Sequence, residues 1–159
     1  MARPVAVGPG PSGVPGTVNS GAVVSAADFF PDPAAPDNCS GAFNVSTCGP
    51  DVTAYIASHE LGHWLGLYHV SERHGTLFDP LSDTPTCICE SCAPSNQQSS
   101  CESANPSGTP IDVTSGMCSS GMATCGGADN LMFWVFTASS VGNLSPQQGA
   151  VMRQNPALH

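Results

Sequence analysis

Residues 51–69 constrain this chain most, because three histidines among them have the spacing of ligands to one metal ion. His59 and His63 are four residues apart, so a helix would place both imidazoles on one face, about one turn apart. Gly66 can adopt backbone angles that end the helix and turn the chain, which would bring His69 back as a third nitrogen ligand. Three imidazoles with one open position are typical of a catalytic zinc site rather than a closed structural one.

Glu60 lies beside this histidine face and is the candidate general base. Its carboxylate can hold a catalytic water without being a metal ligand itself. Together with the three histidines and Gly66 it completes the pattern HExxHxxGxxH, which is far more specific than a bare HExxH. The alternative is a buried helix with incidental histidines. Four of the five histidines fall between His59 and His74, which favours the metal site.

The pattern HExxHxxGxxH resembles the zinc-binding consensus of the metzincin metallopeptidases. Tyr68 before the third histidine, and Asp83-Thr84-Pro85 followed by cysteines, are further similar to the pappalysin-like branch of that class. The resemblance covers about residues 20 to 159. It implies a methionine-containing turn beneath the metal, for which Met132 in the apolar run 130–134 is the candidate.

The resemblance implies an α+β, metzincin-like catalytic domain over residues 20–159. Such a domain has a zinc helix, short strands, cysteine-rich loops, a Met-turn and a C-terminal helix. Metzincins have a substantial sheet-bearing half before the zinc helix, whereas about 50 residues precede it here, so we expect part of the N-terminal sheet to be missing. Residues 1–19 are rich in proline and glycine and predict a flexible arm. Residues 20–25 predict a strand, either an ordinary core strand or an edge strand that pairs with extended substrate.

Trp134 stands where the resemblance implies a different residue. In pappalysin-like enzymes a tyrosine two residues after the turn methionine is expected to assist oxyanion stabilisation. The indole of Trp134 can donate a hydrogen bond through its N–H but has no hydroxyl. Trp134 is therefore a candidate oxyanion position with reduced catalytic power.

Eight cysteines in 159 residues indicate an oxidising compartment and a disulfide framework. Eight cysteines allow 105 pairings, so the connectivity stays open, although Cys39 and Cys48 are a plausible local pair. The rival interpretation is a second metal site in the cysteine-rich residues 87–92. We expect disulfides and an extracellular or periplasmic location, because an exported chain normally oxidises such thiols.

The formal net charge of −9, with three arginines and no lysine, argues against nucleic acid and anionic membranes as partners. No segment has 18 consecutive apolar residues, so no membrane span is expected. His74 is predicted to be a loop histidine rather than a fourth ligand. Asp79 and Asp83 can orient ligands, bind calcium or simply be solvated, and solvation is the simplest interpretation.

Two helices follow from local patterns. The zinc helix should begin at Pro50 or Asp51. The last helix should run from Pro146 to about Gln154, because Ser145 and Gln148 have the spacing of a capping box around a proline at the first helical position.

These features predict a secreted zinc-dependent endopeptidase that acts on a protein or peptide substrate. His59, His63 and His69 would hold the zinc, and Glu60 would be the general base. Two alternatives stay open. One is a catalytically weak or inactive zinc-binding module, and the other is a zinc hydrolase acting on a non-peptide amide.

Overall fold

The computed structural model describes residues 31–32, 35–39, 43–44, 50–119, 124–135, 142–155 and 158. The predicted arm over residues 1–19, the predicted strand over residues 20–25 and the pairing of Cys39 with Cys48 lie outside these residues. The chain forms two compact units, one of Met1–Gly66 with Val151–His159 and one of Leu67–Ala150.

The first unit contains a small antiparallel sheet and the long helix. The strands are β1 (Pro31–Asp32), β2 (Ala35–Cys39) and β3 (Phe43–Asn44), with β2 in the centre. The strands are short because prolines, which cannot donate to a ladder, are frequent in this segment. Helix α1 follows at Pro50–Trp64 and carries proline at its first position, where the missing N–H costs nothing.

Helix α1 ends at Trp64, and the chain tightens into a turn that reaches Gly66. The N–H of Leu65 donates to the carbonyl of Leu61 at 2.9 Å, whereas the N–H of Gly66 donates to the carbonyl of His63 at 3.0 Å. Gly66 then has φ 99°, a conformation that costs glycine little and other residues more. The chain therefore changes direction at Gly66, where the sequence predicts the end of the zinc helix.

Three disulfide bonds cross-link the second unit: Cys87–Cys118, Cys89–Cys101 and Cys92–Cys125. They confirm the disulfide framework for these six cysteines and exclude the rival metal site in residues 87–92, because oxidised sulfurs are not thiolate ligands. The connecting chain has only short helical turns: α2 (Cys89–Cys92) and 3₁₀ turns at Gln98–Ser100 and Met117–Ser119. Residues 111–113 form no strand.

The apolar core of the second unit is small and includes Val70, Val113, Met132 and Phe133, each at most 2% exposed. The cystines fill much of the remaining interior, since four of their cysteines are at most 1% exposed. Disulfide bonds and a modest hydrophobic core therefore both stabilise this unit.

Helix α3 (Pro146–Gln154) begins with the predicted capping box. The N–H of Gln148 donates to Ser145 Oγ at 3.1 Å, and the N–H of Ser145 donates to Gln148 Oε1 at 2.8 Å. Gln148 is fully buried and its side-chain amide also exchanges hydrogen bonds with that of Asn130. The helix start is thereby tied to the turn that contains Met132.

The simplest interpretation of these two carboxylates, solvation, is wrong for Asp79, whereas Asp83 is exposed. Asp79 is only 8% exposed and its Oδ1 accepts hydrogen bonds from the hydroxyl of Thr84 and the N–H of Leu81. Asp83 is exposed, but its two carboxylate oxygens accept from the Ser145 hydroxyl at 2.7 Å and the Gln147 N–H at 2.9 Å. A carboxylate at a helix N-terminus is stabilising because it meets unpaired N–H groups and the positive end of the helix dipole.

Among the described residues no helix is long and apolar enough to cross a membrane.

Gly75→Ala should destabilise the second unit by about 2 kcal/mol or more, since a left-handed non-glycine residue alone costs on the order of 1–2 kcal/mol. Gly75 has φ 66°, and a Cβ there would lie 2.8 Å from the carbonyl oxygen of Cys87 and 2.9 Å from the nitrogen of Cys89. Gly116→Ala is the matched control, because its nearest new contact is Thr114 Oγ1 at 3.7 Å. Denaturant unfolding of both variants is the measurement, and equal midpoints would contradict the packing described.

Candidate metal centre

The nitrogen atoms of His59, His63 and His69 lie within 4.8 Å of one another. All three histidines belong to one stretch of eleven residues, so the group is built by local chain geometry. His59 and His63 lie one turn apart on α1, with ring centroids 4.8 Å apart and ring planes at 87°. His69 follows the turn at Gly66. These three residues form a group that can hold a metal ion.

The donor set fits a borderline-soft divalent ion. Imidazole nitrogen is a common ligand of zinc, copper, iron and nickel, whereas calcium and magnesium prefer oxygen. A tetrahedral ion with Zn–N bonds of about 2.0–2.1 Å separates its ligand atoms by about 3.3 Å. The limit of 4.8 Å between the nitrogens is compatible with that spacing, and the three histidines are all partly exposed.

Glu60 follows His59 on α1 and is only 7% exposed. Burial of the carboxyl group raises its pKa to about 7, because desolvation disfavours the charged form. A cation held by the neighbouring histidines would act in the opposite direction and favour the carboxylate. Glu60 is therefore a buried acid whose protonation responds to its surroundings near neutral pH, as a general base requires.

His69 has a carboxylate partner that no sequence motif predicts. Its Nδ1 lies 3.1 Å from Glu72 Oε1, three residues further on. The only indication of this contact in the sequence is that an acidic residue, Glu72, follows the candidate ligand His69 by three positions. The two residues lie on either side of a bend at Val70 and Ser71, which brings their side chains together.

Met132 lies in a β-turn, in which the N–H of Phe133 donates to the carbonyl of Asn130 at 3.0 Å. The side-chain oxygen of Asn130 also accepts from the N–H of Met132 at 2.9 Å, a typical role for asparagine in turns. The carbonyl of Met132 accepts from the N–H of Val70 at 3.0 Å. Met132 is thus fully buried and bonded to the residue after His69.

The indole N–H of Trp134 donates to the carbonyl of Val113 at 2.9 Å. Val113 is fully buried, so this bond satisfies an acceptor that water cannot reach. The contact gives Trp134 a structural role in the second unit. Its role towards an oxyanion stays a prediction.

The other candidate ligands have different partners. His74 Nδ1 lies 3.6 Å from Asp112 Oδ1, which also accepts from Arg73 Nε at 2.6 Å. This bond raises the pKa of Arg73 above its usual value. Asp79 accepts a hydrogen bond from the hydroxyl of Thr84, and Asp83 accepts one from a backbone N–H at the start of helix α3. Among the residues that the structure describes, no second group of three or more His, Cys, Asp or Glu side chains has the spacing of a metal site.

Comparisons with protein-family models, with curated proteins and with solved structures give no match to this chain.

The purified chain should bind about one divalent ion, and His63→Ala should lose it, because two imidazoles hold an exchangeable ion much more weakly than three. His74→Ala is the matched control, since His74 lies outside the ligand group. The metal content of each variant is measured by elemental analysis after dialysis against zinc. Equal metal in the parent chain and His63→Ala would contradict the ligand assignment.

Trp134→Phe should lower the free energy of unfolding by about 1–3 kcal/mol, because the buried Val113 carbonyl loses its donor. Its metal content should equal that of the parent chain. Thermal unfolding followed by circular dichroism, together with elemental analysis, separates these effects. An unchanged melting temperature would show that the hydrogen bond contributes nothing to stability.

Proposed function

We propose that this protein is a secreted zinc-dependent endopeptidase. The observation that carries the proposal is the group of His59, His63 and His69 with the buried Glu60 beside it on α1. The resemblance of HExxHxxGxxH to the metzincin consensus supports zinc as the metal and a peptide bond as the substrate. Three cross-linking disulfides support an oxidising, extracellular or periplasmic location.

Zinc bound by the three histidines would supply Lewis acidity, lowering the pKa of a water to about 7 and polarising the scissile carbonyl. Glu60 accepts a proton from the attacking water at its carboxylate. As the carbon–nitrogen bond breaks, Glu60 gives this proton to the leaving amine. The burial of Glu60 suits both steps, because desolvation raises its pKa and makes its carboxylate a stronger base.

A metal-binding module with little or no peptidase activity is the second candidate function. One observation favours it. The indole N–H of Trp134, at the position where the pappalysin-like resemblance implies an oxyanion donor, is directed to the Val113 carbonyl. Zinc binding by the parent chain without cleavage of any protein substrate would select this function over the peptidase.

Glu60→Gln should retain the metal and lose cleavage of an unfolded protein substrate by roughly 10²–10⁴-fold, the usual contribution of a general base. Glutamine has the same shape but accepts no proton. The metal-free variant should be at least as stable as the parent, because a neutral amide avoids the desolvation that raises the pKa of Glu60.

Glu102→Gln is the matched control for loss of one negative charge and should cleave at the parent rate. Cleavage and metal content are measured on the same preparations. Parent-like cleavage by Glu60→Gln would remove the general-base role, and a loss of metal would show that Glu60 acts as a ligand instead.

A further inference from the structure

The side chain of Glu72 is hydrogen-bonded to His69, a member of the histidine group. The distance from Glu72 Oε1 to His69 Nδ1 is 3.1 Å. A carboxylate oxygen accepts in this hydrogen bond, so Nδ1 of His69 is the donor and carries the ring hydrogen. The neutral imidazole of His69 then has its lone pair on Nε2, the nitrogen that can bind a metal.

Glu72 is held in place by its own turn. Its N–H donates to the carbonyl of Leu77 at 2.9 Å, and its carbonyl accepts from the N–H of Gly75 at 2.9 Å. Gly75 has a left-handed conformation and packs so closely on the backbone of Cys87 and Cys89 that no Cβ fits there. The turn over residues 72–77 is therefore fixed by backbone contacts to the disulfide-linked segment.

We propose that Glu72 is a positioning residue that orients the His69 ring and selects Nε2 as its metal-binding nitrogen. The inference rests on the proposed function, since it requires a metal at the histidine group. Carboxylates that hold the second nitrogen of a ligating histidine fix its tautomer and raise its basicity. Through the turn over residues 72–77, the disulfide-linked segment thus acts on the geometry of the third ligand.

The effect on metal affinity should be moderate. The side chain of Glu72 is 47% exposed and that of His69 is 23% exposed, so water partly replaces a lost partner. Loss of such a partner typically weakens metal binding by about 10–100-fold, and the exposure of Glu72 indicates about tenfold.

Competition between the protein and a chromophoric zinc chelator measures the zinc dissociation constant of the parent chain, Glu72→Ala and Glu72→Gln. Glu72→Ala should bind zinc about tenfold more weakly. Glu72→Gln should lie between the two, because its amide oxygen still accepts from Nδ1–H but carries no charge. Glu102→Ala is the matched control for charge and should bind zinc like the parent.

The imidazole nitrogens of the zinc-loaded parent chain, observed by ¹⁵N NMR, give a second readout that needs no variant. His69 should carry its hydrogen on Nδ1 and bind zinc through Nε2. Parent-like zinc affinity in Glu72→Ala, or zinc on Nδ1 of His69, would overturn the role of Glu72 and leave the proposed function unaffected. Failure of the parent chain to bind zinc would overturn the proposed function and the inference with it.

Discussion

Three disulfide bonds within forty residues hold the unit from Leu67 to Ala150 in one arrangement. The bonds close loops with sequence separations of 31, 12 and 33 residues. In the chain-entropy model each closure is worth about 3–4 kcal/mol, although overlapping loops do not add independently. The apolar core of this unit is small, so these cross-links carry a large share of its stability. They also allow a segment with almost no regular secondary structure to keep a defined backbone.

That defined backbone supports the turn on which the third histidine depends. The close approach of Gly75 to Cys87 and Cys89 requires both a missing side chain and a fixed cystine segment. The turn holds Glu72, and Glu72 bonds to His69. On the other side of the same histidine, Val70 is bonded to the buried turn at Met132. His69 is therefore positioned by loops that disulfide bonds and hydrogen bonds hold in place. His59 and His63, in contrast, are positioned by the geometry of one helix.

Local patterns in the sequence predict the features that depend on neighbouring residues. The helical spacing of His59 and His63 and the capping box around Pro146 are of this kind. Contacts between distant residues escape such reasoning. The connectivity of the cysteines is one of 105 possibilities for eight residues. Asp83 bonds to Ser145 and Gln147, more than sixty residues away, and its sequence neighbours give no sign of this. The contact between Glu72 and His69 is local, but no motif predicts it. The turn that follows Glu72 needs a left-handed residue at Gly75, a conformation that a glycine in the sequence allows but does not require.

The central claim is that His59, His63 and His69 bind one zinc ion together. X-ray absorption at the zinc edge of the loaded chain tests it most directly, because the scattering shells identify ligand type and distance. We predict a four-coordinate site with three imidazole nitrogens at about 2.0–2.1 Å and one further nitrogen or oxygen ligand. Sulfur at about 2.3 Å, or a shell of oxygen atoms without imidazole scattering, would contradict the account.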